Sequence, residues 1–247
     1  MRLLIPERRE TSPEELASGL KLGDRAPDGR PYLALNMVSS LDGKATLSGR
    51  TAGLSSELDR ALFHHLRTQA DAVMVGAGTL REERYGLINK TEELREKRRD
   101  EGLEPQALAV IVSASLNLPS DLPILQEPGQ RVVVATASED ELPGVKAQVD
   151  YLRVGDDMAL MAARLREEHG VRSVLCEGGP TLNSHLLAAG LVDELFLSLH
   201  PLLIGGAAAM TIVAGRTLVA PPALELVTLA EAEGDLFTRW RVQEALH

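Results

Sequence analysis

The sequence predicts an α/β fold with a mostly parallel central sheet flanked by helices and finished by antiparallel C-terminal strands. Three observations carry this. Short, β-branched apolar runs recur, among them DAVMVG (71–76), ALAVIVSAS (107–115) and RVVVATAS (131–138), as strands buried on both faces require. Amphipathic helical stretches alternate with them. The last two strand-like stretches, 222–230 and 236–244, have no helix between them, which predicts an antiparallel pair at one edge of the sheet. A length of 247 residues suits one sizeable core. We divide the chain into an N-terminal extension (1–30) and one domain (31–247).

In the extension, TSPEEL reads as a short peripheral helix: Ser12 caps it, Pro13 opens it, Glu15 completes a capping box, and Gly19 and Gly23 end it. The core begins with PYLALNMVSS (31–40), a strand stopped by the turn Leu41-Asp42-Gly43. Ser56-Glu57-Leu58-Asp59 starts a helix with Leu58, Ala61, Leu62, Leu66 and Ala70 on one face. After the strand DAVMVG, the nearly all-charged TEELREKRRDEG (91–102) predicts a solvated helix away from the core. Three apolar runs follow, the third being VDYLRV (149–154), and each reads as a buried parallel strand. Asp156 is the expected cap of a helix with Met158, Met161, Ala162 and Leu165 on one face, ending at Gly170. VRSVLCEGG (171–179) is the next strand, Pro180 opens the next helix, and DELFLSLHPLLIGG (193–206) gives a strand and a glycine loop.

Composition narrows the function. A net charge of −10 opposes a broad nucleic-acid footprint, which needs a basic face to neutralise phosphates. The one cysteine, Cys176, allows no internal disulfide, and no Cys/His cluster has zinc spacing, so no metal is expected and a reducing cytoplasm fits. No apolar run approaches the roughly 18 residues of a membrane span, and MRLLIPERRE lacks a secretory pattern.

Two segments carry chemistry. Glycine-rich turns leading from a strand into a helix suit phosphates, because free backbone N–H groups and the helix dipole converge there. VGAGT (75–79) offers Gly76, Gly78 and Thr79; EGGPT (177–181) offers Gly178, Gly179, Pro180 and Thr181. Neither is the GxGxxG fingerprint, no acidic residue about 20 residues on from VGAGT sits at the end of a second strand, and GxxxxGK[ST], GxSxG and HExxH are all missing, so hydrolytic chemistry is disfavoured. Glu177 follows a buried strand, where an unpaired carboxylate is costly, and reads as a ligand contact ahead of a structural hydrogen-bond acceptor. Asp42 is a turn residue or a border of the nicotinamide and substrate ribose. Arg67 is a solvated helix residue or a phosphate ligand. Ser113 and Thr136, each just past a buried strand, are candidates for an adenosine 2′-phosphate. Cys176 reads as a small core residue, and His64, His65 and His200 as structural or surface.

NMVSSLDGK (36–44), SELDRALFHHLRTQADAVMVGAGTL (56–80) and VLCEGGPTLNSHLLAAGLVDELFLSLHPLLIGG (174–206), in that order, resemble the reductase domain of riboflavin biosynthesis, often fused to a pyrimidine deaminase. The deaminase His-x-Glu and Pro-Cys-x-x-Cys zinc signature is not in this chain. The resemblance implies a dihydrofolate reductase-like fold, NADPH as cofactor, a homodimer in the cytoplasm, and reduction of 5-amino-6-(5-phosphoribosylamino)uracil by hydride delivery to the anomeric carbon. It further implies that Val38, Gly53, Thr79 and the run from Gly179 to His185, including Leu182 and Asn183, line NADPH, with Glu83 replacing a cofactor-contacting aspartate. Thr51, Arg67, Leu87 and Glu177 match substrate contacts, and Lys90 stands where the family has an arginine. TLREERYG (79–86) replaces the family's Asp-Asp-Pro segment, and Gly53 replaces an aromatic residue. Two other readings stay open: reduction of dihydrofolate or another pterin or pyrimidine on the same fold, and a nucleotide-binding protein without catalysis. DELFLSLH is apolar enough for an interface strand.

Overall fold

Alternating side chains along the apolar strands face two different cores, which is why these strands read as continuous apolar runs. The computed structural model describes residues 1–46, 53–206 and 210–245. In β4 (Ala72–Gly76), Ala72 and Met74 pack into one apolar cluster and Val73 and Val75 into another on the opposite face. The same alternation holds for β5 (Leu108–Val112) and β6 (Arg131–Thr136).

Along the chain the elements are β1 (Arg2–Ile5), β2 (Arg9–Glu10), α1 (Pro13–Ala17), β3 (Tyr32–Ser40), α2 (Glu57–Leu66), β4, α3 (Ala77–Glu83), α4 (Glu92–Asp100), β5, β6, β7 (Gln148–Arg153), α5 (Met158–His169), β8 (Ser173–Cys176), α6 (Pro180–Ala188), β9 (Glu194–His200), β10 (Pro222–Ala232) and β11 (Asp235–Ala245). They build one eleven-stranded sheet in the order β2-β1-β10-β11-β9-β3-β8-β4-β5-β6-β7. From β9 to β7 neighbouring strands are parallel; β11, β10, β1 and β2 add antiparallel. The late strands pair as expected.

Helices α5 and α6 cover one face through Met158, Met161, Leu165, Leu182 and Leu186. Leu80, Ile88, Leu122, Ile124 and Leu125 cover the other. A third cluster seats Leu62 and Leu66 of α2 against Tyr32, Ala34, Leu175, Phe196 and Phe237.

Several expectations are corrected. The residues before the TSPEEL helix add to the sheet, since β1 pairs with β10, Arg2 opposite Glu231 and Leu3 opposite Ala230. Ser12 does cap α1, accepting from the Glu15 amide at 3.1 Å, but the Glu15 carboxylate turns to Arg9 and Thr11, so the box is half closed. Gly23 does not end α1; it lies in a separate 3-10 turn, Leu22–Arg25. Asp157, not Asp156, caps α5, taking the Leu160 amide at 2.9 Å. β7 is a half-exposed edge strand instead of a buried one.

The charged helix α4 is the largest departure. Its Arg98 is fully buried and donates to the carbonyls of Arg67, Ala70 and Glu104, each at 2.6 Å. Three charge-assisted hydrogen bonds offset the cost of taking a guanidinium out of water. A sequence window that is nearly all charge gives no sign of this, because the one buried arginine is compositionally indistinguishable from its solvated neighbours. Finally, β9, the expected interface strand, is hydrogen-bonded on both edges, to β3 and β11.

Candidate active site

Strands β3, β4 and β8 end side by side, and their C-terminal ends place both glycine turns at the rim of one cleft of about 380 Å³. The two turns are bonded to each other: the Gly76 amide donates to the Gly178 carbonyl at 2.8 Å. At Gly178 the backbone adopts φ +89°, a conformation side chains disfavour. At Gly179 the constraint is space, since a Cβ there would stand 2.9 Å from Thr79 Oγ1. Gly76 opens α3 and Gly179 opens α6, and neither position offers a side-chain cap. The first-turn amides of α6 that follow Pro180 have no side-chain cap, and together with the tight glycine turn at Gly179 they fit a pyrophosphate.

The cleft floor is an ion pair. Arg67 Nε and Nη2 donate to the two oxygens of Glu177 at 2.6 and 2.7 Å, and Nη1 donates to the Ile88 carbonyl at 3.0 Å. The side chains are only 4% and 1% exposed. The Arg67 guanidinium also stacks on Phe63, 4.1 Å from the ring centre, and lies 5.2 Å from the ring of Tyr85. Burial, then the charge of Glu177, pushes the Tyr85 hydroxyl well above its ordinary range, so it stays a neutral donor. Either partner of the pair can meet a ligand only by sharing it, whereas the sequence pointed Arg67 at a phosphate and Glu177 at a ligand independently.

Around this floor the structure assembles Val38, Thr79, Glu83, Leu87, Lys90, Gly179 and Pro180 with Arg67 and Glu177 as cleft-lining residues. Lys90 is exposed, and no side chain pairs with its amino group among the described residues. The remaining candidates lie elsewhere. Leu182 and Asn183 are core residues: Leu182 packs in the main cluster, and the fully buried Asn183 donates to the Ile212 carbonyl at 2.8 Å. Gly53, Gly78 and Thr181 are exposed and do not line the cleft, and Gly76 and Gly178 join the two turns without lining it. Ser113 is buried at the end of β5, and the Thr136 hydroxyl donates to the Ala114 carbonyl. Thr51 lies outside the described residues. Cys176 is buried, and burial pushes its thiol up to about 12, away from nucleophilic use.

Asp42 lies outside the cleft lining, and its carboxylate braces a loop. It accepts from the Ser40 hydroxyl at 2.5 Å and from the amides of Ile204 and Gly205 at 3.1 and 2.7 Å. Those bonds, the Ser40 hydroxyl foremost, hold its pKa down to about 2. This is the turn-residue alternative of the two open for Asp42.

Sequence reasoning missed a stripe on α2. Asp59, Phe63 and Arg67 recur every fourth residue and face the cleft, while Leu62 and Leu66 face the core. His64, expected at the surface or in the frame, also lines the cleft, and burial lowers its pKa to about 4, so it is neutral. Tyr85 was hidden in TLREERYG, whose departure from the family proves to form one side of the cleft from Glu82 to Leu87. The spacing of four from Asp59 was the available signal.

A parallel sheet with two interlocked glycine turns, opening on a cleft with a charged floor, suits a cofactor-dependent α/β oxidoreductase. The sequence matches the RibD C-terminal domain over residues 31–237, and the chain belongs to that family. It is 35% identical over 195 residues to the 2,5-diamino-6-ribosylamino-4(3H)-pyrimidinone 5′-phosphate reductase of Archaeoglobus fulgidus, covering 77% of this chain and 89% of that one. It is 28% identical over 200 residues to the riboflavin biosynthesis protein RibD of Bacillus amyloliquefaciens, covering 76% of this chain but only 50% of RibD. In fold it resembles a pyrimidine reductase-like protein of Corynebacterium diphtheriae, with a TM-score of 0.75 at 22% identity over 94% of this chain and 99% of the other. Among the described residues no helix is long and apolar enough to cross a membrane.

Proposed function

We propose that the chain is an NADPH-dependent reductase of a phosphoribosylaminopyrimidine in riboflavin biosynthesis. The observation that carries this is the junction of the two glycine turns with the Arg67–Glu177 floor in one cleft. Gly179 and the amino end of α6 hold the cofactor pyrophosphate, Val38 and Thr79 flank its nicotinamide end, and Ser113 is a candidate for the adenosine 2′-phosphate. The bound cofactor supplies a hydride for the ribose anomeric carbon. The protein aligns that carbon and keeps water away from it, which removes the need for a nucleophilic triad.

Lys90, an exposed cation at the cleft, takes the substrate phosphate. Glu177, shared with Arg67, accepts from the pyrimidine or ribose, and Tyr85 remains a neutral donor beside it. The name of the Archaeoglobus relative favours the 2,5-diamino pyrimidinone as substrate over the deaminated uracil form that the sequence resemblance implied. The reading includes a cytoplasmic homodimer, whose interface must use some surface other than the strand edges of β9.

The test is NADPH oxidation with each pyrimidine phosphate, repeated with NADH. Turnover of at least one with a preference for NADPH is expected. Tight NADPH binding without turnover of either pyrimidine would remove the substrate assignment, and turnover of dihydrofolate instead would move the protein to a pterin.

A further inference from the structure

Reduction of a glycosylamine consumes a proton as well as a hydride, and the Tyr85 hydroxyl, held well above its ordinary range, is too weak an acid to supply it. Two carboxyl groups reach the cleft from inside the fold, Glu177 and Asp59, and their surroundings differ. Glu177 is bound on both oxygens by a guanidinium. Asp59 has no cation bonded to it among the described residues. It accepts from the Ser55 hydroxyl at 2.6 Å and from the Ser198 hydroxyl, while the neighbouring Arg60 sends its guanidinium to the Ser55 carbonyl at 2.6 Å.

Its position is fixed from three elements. The Asp59 backbone amide is bonded to the Ser56 cap in the first turn of α2. Ser198 of β9 lies directly opposite Val38 of β3 in the parallel register, so the Asp59 carboxyl stands beside the strand residue at the nicotinamide end of the cleft. Behind it, from β11, comes the buried Asp235, whose own carboxylate is bonded to His200 Nδ1 at 2.5 Å.

We infer that Asp59 is the proton donor of the reduction, a role that rests on the proposed pyrimidine substrate. In the balanced step the dihydronicotinamide is oxidised as its hydride forms the new C–H bond at ribose C1′. The C1′–O4′ bond breaks, its electron pair leaves on O4′, and O4′ takes the Asp59 proton as the ribose opens to the ribityl chain. The Asp59 carboxylate recovers a proton from solvent. The charged groups facing Asp59 agree with this. Burial and the like charge of Asp235 favour the protonated acid, while the Ser198 and Ser55 hydroxyls and, more weakly, Arg60 oppose it; the net direction is upward.

The experiment compares the full-length wild type with Asp59→Asn, which keeps the size of the side chain and one of its two acceptor oxygens but carries no acidic proton. Three readouts are followed: kcat against pH with the phosphoribosylaminopyrimidine that the wild type turns over, NADPH affinity by fluorescence, and the side-chain titration of Asp59 in the NADP⁺-bound wild type by NMR of carbon-labelled aspartate. Expected are a kcat loss of about a hundredfold, loss of the alkaline decline that the wild type shows, and NADPH affinity changed by less than about twofold. The Asp59 resonance should titrate above the ordinary carboxylate range. An Asn variant with near wild-type kcat and an intact alkaline limb overturns the assignment, as does a resonance titrating in the ordinary range or below, which needs no folded variant. A wild type inactive on every phosphoribosylaminopyrimidine instead overturns the substrate reading itself, and this assignment with it.

Discussion

Replacing Arg67 by methionine separates stability from ligand contact at the cleft floor. The substitution removes two charged hydrogen bonds to Glu177 and one to the Ile88 carbonyl, and leaves a carboxylate whose side chain is 1% exposed without a cation. Breaking one partner of a buried pair costs about 3–5 kcal/mol, because the remaining charge is uncompensated. For a chain of this size that corresponds to a fall in Tm of about 6–20 °C. Urea unfolding followed by circular dichroism measures it. Removing both charges, with Arg67→Met and Glu177→Leu together, should recover most of the loss, since an apolar pair of similar volume is nearly neutral in a buried site. Cofactor binding by the double variant should persist, as the glycine turns are untouched. A single variant within about 1 kcal/mol of wild type, or single losses that simply add in the double variant, would refute the claim that the two residues form one buried unit.

Other expectations follow from single contacts. Gly179→Ala drives a Cβ to 2.9 Å from Thr79 Oγ1 and should weaken NADPH binding about tenfold or more by isothermal calorimetry, with part of the loss restored in a Thr79→Ala background. Lys90→Ala should raise KM for the phosphorylated substrate about 10- to 100-fold, an effect that shrinks with added salt and vanishes for the dephosphorylated analogue. Asp42 has a folded-state pKa held at about 2, below its unfolded value of 3.8, so its contribution is complete above that value and lost as the pH falls toward 2. The stability difference between wild type and Asp42→Asn, from urea melts, should therefore narrow between about pH 4 and pH 2 and stay flat above.

The architecture was legible wherever local chemistry and burial agreed. DAVMVG, ALAVIVSAS and RVVVATAS became β4, β5 and β6 because the apolar side chains of their central residues are covered on one face or the other. The glycine turns were legible for a similar reason: a Cβ at Gly179 would press against the Thr79 hydroxyl, so the tight turn favours glycine there. What escaped depended on partners distant in sequence. Arg98 reads as solvated until the carbonyls of Arg67 and Ala70 are placed around it. Arg67 and Glu177 were each recognised, yet their union across 110 residues was invisible, so each was assigned a ligand that the other now shares. Asp59 was noted only as part of a helix start, and its proximity to Ser198 depends on the pairing of β3 with β9. The resemblance set Leu182 and Asn183 along the cofactor with the rest of the run from Gly179, but a helix turns successive residues to different sides, and these two are buried.

The pairing of β1 with β10 bears on how the protein can be cut. The family match runs from residue 31 to residue 237, and an expression boundary drawn there would remove β1 and most of β11 together. The eleven residues of β10 would then lose neighbours on both sides, and Leu224, already exposed, would lie on a long bare ribbon of free amides and carbonyls. Such a ribbon is a template for edge-to-edge association between molecules. The four residues Arg2–Ile5 thus act as a selvedge for the sheet, and solubility after trimming depends on them more than the short length of β1 suggests.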